Sequence, residues 1–359
     1  MDTLRCAYVG CGYVAQTIHI PHFASIPEVK FEAIAETRPK LRGLVAAKYG
    51  IPKQYESHLD ICKDKDIDAV GVSAPFEVQP EIARDLLAAG KAVFMEKPMA
   101  VSVAQGERML AAEKQGGGRL MVAYMKRYDA GNELVKQTVD AFRKSGELGP
   151  VTYLRTHGFC GMEWTAGNSA SIFNTDEAPP PAPKASNLPA WLPDKNRNGY
   201  LNYLQQYTHN LNLLRWLMDA QDVSVRAVDF DPQNGFHGVA VLEIGGVRAV
   251  IESGSVAHWG WDEHTQVYFR DGWVRTEAPP LLLKNVPASV EVYRGGKRQS
   301  VENLMPGDSA DRWSWSYKRE AEAFVACVKS GAPFRSSGAD TLYDVRAFET
   351  IYKAYLGVK

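Results

Sequence analysis

The sequence predicts two domains: an α/β domain with a doubly wound parallel sheet, then an α+β domain with a large, mainly antiparallel open sheet. Three observations predict this. The first third alternates short apolar runs with helical patterns, the mark of βαβ units. After about residue 125 the pattern changes to short alternating strands divided by paired turn residues. The chain has 359 residues, too many for one comfortable core. The expected domains are 1–125 and 126–359.

Residues 4–9 form the first expected strand, followed by a glycine-rich turn and a helix from about Tyr13. Pro21 has no amide hydrogen, so it should end or kink that helix. Further strands are expected at 30–35, 68–73, 92–95 and 120–124. Helices at 80–89, stopped by Gly90, and at 102–115, stopped by Gly116-Gly117-Gly118, complete the first domain. The second opens with a helix at 130–144 and a strand at 151–160. Residues 178–193 then hold six prolines, which fix φ and remove donors, so no core element forms there. That stretch is a surface loop, or else a lid or subunit-contact arm. A strongly helical segment follows at 200–218. Strands with turns at Gly245-Gly246, Asp271-Gly272 and Gly295-Gly296 run to about 301, and helices near 313–329 and 338–355 end the chain. No internal repeat is visible.

Composition excludes several classes. Forty-one basic and 42 acidic residues leave a net charge of −1, against nucleic-acid binding through a basic surface. No apolar run approaches the length of a membrane span. The first strand starts almost at once, leaving no room for a signal peptide. The five cysteines are scattered and form no Cys-x-x-Cys pair, which fits free thiols in a reducing cytoplasm. His258, Asp262, Glu263 and His264 look superficially like metal ligands. Two histidines six apart give no recognised geometry, so no metal is expected.

Gly10-Cys11-Gly12-Tyr13-Val14-Ala15 reads G-x-G-x-x-A, directly after a strand and before a helix. The first glycine permits a tight turn. The second lets the backbone approach a pyrophosphate seated on the helix N-terminus. Glu36 ends the second strand roughly twenty residues on, where a carboxylate binds the adenine ribose and repels a 2′-phosphate. A Rossmann domain that prefers NAD(H) to NADP(H) is therefore expected, with Arg38 close enough to soften the preference.

With Met95-Glu96-Lys97-Pro98, the chain resembles the Gfo/Idh/MocA family of glucose–fructose oxidoreductases and inositol dehydrogenases. Other motifs fall in register: Ser73-Ala74-Pro75, Ala89-Gly90-Lys91, Ala123-Tyr124-Met125-Lys126-Arg127-Tyr128-Asp129, and His209-Asn210-Leu211-Asn212-Leu213-Leu214-Arg215-Trp216. The resemblance covers nearly the whole chain. It implies an NAD-binding Rossmann domain followed by a domain for substrate binding and oligomerisation. It also implies cofactor contacts from Gly10, Gly12, Tyr13, Val14, Glu36, Arg38, Ser73, Ala74, Pro75, Gln79, Glu96, Lys97 and Arg127.

The resemblance further implies that Lys97 lies beside the nicotinamide and hydrogen-bonds the substrate oxygen. Removing hydride from a carbinol carbon must be coupled to loss of the hydroxyl proton, so a positioned acid or base is needed. His209 matches the histidine of the family's Asp-x-x-x-His motif. Two departures stand beside it: Gln205 replaces the aspartate four residues earlier, and Asn212 replaces the commoner aspartate three residues later. Gln205, His209 and Asn212 still share one helical face. Gln79 stands where the family often has histidine, and Arg127 at a recurrent arginine. All eight tryptophans lie after residue 160, and Trp164 and Trp191, flanking the proline-rich stretch, are the best candidates to stack on a sugar ring.

The expectation is an NAD(H)-dependent oxidoreductase of a sugar, cyclitol or glycoside, acting at a secondary hydroxyl, for a glycoside the 3-position among the candidates. Lys97 would polarise the oxygen and His209 would move the proton. Substrate contacts are expected from Lys97, Arg127, Gln205, His209, Trp164 and Trp191. The alternatives are a glycosidase acting by transient oxidation, with Tyr203 or Tyr207 as an added base, and a non-catalytic NAD- or sugar-sensing protein. A cytoplasmic homodimer or homotetramer is expected, with no nucleic-acid or membrane partner.

Overall fold

A computed structural model describes residues 3–166, 172–178, 187–257, 260–301 and 315–358. His258, Trp259, Trp313 and the proline-rich core at 179–186 lie outside the described residues. The chain forms two compact units. The first gathers Met1–Tyr124, Asn168–Pro189 and Tyr317–Val345; the second holds Met125–Gly167, Ala190–Ser316 and Arg346–Lys359.

The first unit runs β1 (Leu4–Val9), a π-helical turn (Ala15–His19), α1 (Ile20–Ser25), β2 (Val29–Ala35), α2 (Pro39–Tyr49), β3 (Lys53–Tyr55), α3 (His58–Lys63) and β4 (Ala69–Val72). It continues through α4 (Gln79–Ala88), β5 (Ala92–Glu96), α5 (Val103–Gly116) and β6 (Arg119–Ala123). Its strands pair in parallel in the order β3-β2-β1-β4-β5-β6. The order reverses direction between β1 and β4. In such sheets ligands sit outside the carboxyl ends of the strands at that switch.

The central strands are apolar on both sides because both faces are covered. Ala7, Val9, Val70, Val72, Val93 and Met95 join Ala83, Leu86, Leu87 and Met109 from α4 and α5 in one core layer. Alternate residues point the other way. There Phe94 packs edge-on against Phe23 at 5.4 Å and His19 at 5.1 Å. Pro21 does not end the helix. It falls in the first turn of α1, directly after the π-helical turn, where its missing donor costs nothing.

A single cut after residue 125 was expected, but two later segments return to the first unit. For the later of them, Tyr317–Val345, the reason is the edge of β6. Val122 N–H donates to Ser336 O at 2.9 Å, Arg119 donates to Cys327 O at 3.0 Å, and Met121 bridges Ser337. These contacts cover an edge that would otherwise expose unpaired backbone groups.

The second unit contains α6 (Ala130–Ser145), β7 (Val151–Cys160), α7 (Arg197–Met218), β8 (Val223–Phe230), β9 (Gly238–Ile244) and β10 (Val247–Gly254). Then follow β11 (Trp261–Phe269), β12 (Gly272–Glu277), β13 (Ser289–Arg294) and β14 (Lys297–Val301). Their order is β14-β13-β12-β11-β7-β10-β9-β8, and only the β7–β10 pair is parallel. Helix α7 packs on β7, β9 and β10, and α6 on β12 and β13. Asp129 caps α6, accepting from the Gly131 and Asn132 amides and from Ala288 N–H at 3.1 Å. After β14 come α8 (Ser316–Ser330) and α9 (Gly338–Leu356). Among the described residues no helix is long and apolar enough to cross a membrane.

Candidate active site

The first unit gathers its predicted site residues at the carboxyl ends of its strands. Gly10 follows β1 with φ of +93°, and a Cβ there would lie 2.1 Å from Ser73 O. At Gly12 an added Cβ would meet nothing within 4 Å, so the turn opens onto free space where a phosphate can approach. Tyr13 and Val14, both half-buried, lead into the helical turn, and Gln16 N–H donates to Gly12 O at 3.0 Å. Ser73, Ala74 and Pro75 follow β4, and Tyr8 Oη holds Ser73 Oγ at 2.6 Å. This cradle fits a dinucleotide. Strain of this kind costs about 1–3 kcal/mol, so Gly10→Ala is expected to weaken NAD binding about 10- to 100-fold, with calorimetric titration as the check.

Glu36 follows β2 and is buried. It accepts from Cys11 N–H at 2.8 Å, and from Arg38 Nε at 2.9 Å and Nη2 at 3.0 Å. Burial pushes its carboxyl up, but the bonds from the Arg38 side chain, the Cys11 amide and the Arg38 amide outweigh it. The pKa is held below the usual carboxylate value. The carboxylate is therefore charged and fixed at the turn, but it shares its oxygens with a guanidinium. Glu36→Ala frees Arg38 and removes the repulsion. Its ratio of NADP to NAD affinity is expected to rise about 10-fold or more, measured by parallel titrations; an unchanged ratio would put discrimination elsewhere.

Lys97 directly follows β5 and is half-buried. Glu96 beside it bonds His19 Nε2 at 2.7 Å and accepts from Lys97 N–H at 3.1 Å. Gln79, expected at the cofactor, is fully buried and turned inward. Its amide donates to Glu96 O at 2.7 Å and to Pro98 O at 3.3 Å, so it braces the loop that carries Lys97. Glu320 of α8 is also fully buried; burial pushes its carboxyl well up, and the Glu96 charge adds to this.

No local signal foretold the segment 172–178, which docks on this unit. Phe173 N–H donates to Gln16 Oε1 at 2.8 Å, and Gln16 Nε2 reaches back to Cys11 O at 2.7 Å and Phe173 O at 3.1 Å. Glu177 accepts from Lys40 N–H at 2.9 Å and Leu41 N–H at 3.0 Å, satisfying orphan donors at the start of α2.

The second unit places His209 on α7, buried at 5% exposure, with Asn212 one turn on. Gln205, one turn before, is exposed. Arg127 was expected to face cofactor or substrate. Its residue is 2% exposed, and Nε donates to Asn212 Oδ1 at 2.7 Å, so it anchors α7. Beside this lies a cluster that the sequence reading missed. Lys126 and Glu263 form a buried ion pair, and Asn210 Nδ2 donates to Thr156 Oγ1 at 3.0 Å and to Glu263 Oε1 at 3.3 Å. Trp164 is half-buried, and its carbonyl accepts from Leu282 N–H at 2.9 Å. Trp191 packs edge-on against Tyr200, under Lys353, and donates to Glu349 at 3.3 Å.

Residues 4–124 match an oxidoreductase family with an NAD-binding Rossmann fold, Gfo/Idh/MocA. The Rossmann part of the first unit is thus similar to that family. A myo-inositol 2-dehydrogenase from Thermotoga maritima is 26% identical to it over 346 residues, covering 94% of this chain and 92% of the relative. An aldose–aldose oxidoreductase from Caulobacter crescentus, crystallised with glycerol, superposes with a TM-score of 0.73 at 23% identity, covering 99% of this chain and 98% of that one. A 3-ketoreductase from Actinomadura kijaniata, solved with NADP, gives 0.71 at 18% identity, with 100% and 98% covered. These structural likenesses show the fold along nearly the whole chain.

Proposed function

We propose that the protein interconverts a secondary hydroxyl and a ketone on a sugar, cyclitol or glycoside. The reading rests on one observation: a lysine follows β5, at the end of the sheet where the strand order reverses, braced by Glu96 and Gln79 beside a glycine cradle. Relatives named inositol 2-dehydrogenase along nearly the whole chain support the substrate class.

NAD, when bound, carries the hydride. The residues of this chain manage the proton and the oxygen. Lys97 donates a hydrogen bond to the reacting oxygen and stabilises the alkoxide as it develops. His209 takes the hydroxyl proton in oxidation and returns it in reduction. Arg127 and Asn212 fix the helix that carries His209. Gln205, at the exposed end of the same face, and Trp164 are assigned to the substrate's outlying hydroxyls and ring face. A homodimer or homotetramer is assigned to the sheet domain, and the free cysteines fit a cytoplasmic enzyme.

A glycosidase that oxidises only transiently needs a further base. Tyr203 is fully buried among Tyr207, Phe230 and Phe348, and Tyr207 donates to Gly254 O at 2.9 Å. Burial pushes both phenols up, so neither suits that task. The experiment is a panel of sugars, inositols and glycosides with NAD⁺ or NADP⁺, followed at the nicotinamide absorbance. Net reduced cofactor supports the dehydrogenase. Released aglycone without it identifies the glycosidase, and silence with NAD bound identifies a sensor.

A further inference from the structure

Strand alternation turns Thr156, Glu263 and Thr265 of β7 and β11 toward α7, where Thr156 and Thr265 meet at 2.8 Å. Their neighbours His157, Asp262 and His264 therefore face the other way. His157 and His264 stand directly opposite in the β7–β11 register, with ring centroids 3.8 Å apart. Asp262 Oδ1 lies 2.9 Å from His157 Nε2, and one ligand atom from each of the three residues falls within 4.8 Å of the others. An Asp–His pair explains two members of this group, but not the third. His264 is 7% exposed, and its Nδ1 is buried with no hydrogen-bond partner. Burying such a nitrogen unpaired is costly, and a cation would satisfy it.

We propose that His157, Asp262 and His264 bind one zinc-class divalent cation, which ties β7 to β11 on the face of the sheet away from α7. Two imidazoles and one carboxylate suit a borderline cation, and three protein ligands leave a fourth position for water. Ligand atoms around tetrahedral zinc stand roughly 3.3–3.6 Å apart, so a modest contraction, led by the exposed Asp262, closes the set. Glu252 Oε2 lies 3.7 Å from His157 Nδ1, on the other side of that ring, and adds negative charge beside the site. The nearby guanidiniums have their own carboxylates: Arg155 bonds Glu252 at 2.6 Å and Arg275 bonds Glu277 at 3.1 Å. Spacing along the sequence grouped Asp262 and His264 with His258 and Glu263, gave no recognised geometry, and led to no metal being expected. Cross-strand register draws in His157, and the alternation sends Glu263 to the opposite face.

The test uses the full chain, stripped with chelator and titrated calorimetrically with Zn²⁺. Co²⁺ serves as a spectroscopic probe of a tetrahedral nitrogen–oxygen site. Wild type is expected to take up one ion per chain at about micromolar affinity or tighter. Asp262→Asn and His264→Ala are expected to weaken uptake about 100-fold, while His58→Ala, at a separate His–Asp pair, leaves it unchanged. Asp262 is exposed, so Asp262→Asn decides the matter even where His264→Ala does not fold. Absence of saturable uptake in wild type, or uptake unchanged in Asp262→Asn, would overturn the proposal.

Discussion

Lys97→Ala is expected to lower kcat by roughly 10³-fold or more while NAD affinity changes by no more than about threefold. The asymmetry follows from where the lysine stands. The dinucleotide cradle consists of Gly10, Gly12 and the β4 loop, and the close approach at Gly10 is to backbone atoms of Ser73. The loop itself is held by Gln79 and Glu96 through backbone bonds that survive the substitution. What disappears is the donor that meets negative charge on the reacting oxygen, an interaction made chiefly in the transition state. Steady-state kinetics with a parallel NAD titration checks it. A loss of NAD binding equal to the loss of rate would move Lys97 from the chemistry to the cradle.

His209→Asn is the second large effect, with kcat/KM expected to fall about 10²–10⁴-fold. Direction is informative here. Oxidation needs the imidazole neutral, so wild-type rate rises with pH through its titration. Reduction needs it protonated, so that rate falls as pH rises. Both limbs should disappear in the variant, a change that lost packing alone would not produce. Buried histidines also serve as structure, so the check pairs the pH profile with a thermal melt. A profile that keeps both limbs would show that another group moves the proton.

The first unit was largely legible because its signals are local. A glycine turn between strand and helix, an acid after the next strand and continuous apolar runs each carry their meaning within a few residues. Strand β3, Lys53–Tyr55, gave no such signal: it is three residues long and has no apolar run. Helix α2 gave little more, since only Leu41, Val45 and Ala46 are buried along it. The second unit hides more, because its chemistry depends on register. Lys126 lies in a recognisable motif, but its partner Glu263 comes from β11, far along the chain, and only the tertiary fold brings them together. Arg127 and Gln79 were identified by position, Arg127 as a cofactor or substrate contact and Gln79 as a cofactor contact. Burial turned both inward, where they hold the elements that carry His209 and Lys97.

The central claim is that hydride passes between a carbinol carbon and the nicotinamide. The most direct measurement takes the best substrate of the panel, deuterated at the carbon to be oxidised, and follows the label by mass spectrometry or NMR. Deuterium is expected at C4 of the reduced cofactor, one per ketone formed, with transfer slowed about 10³-fold in Lys97→Ala. Ketone formed without label in the cofactor, or label exchanged with solvent, would contradict it.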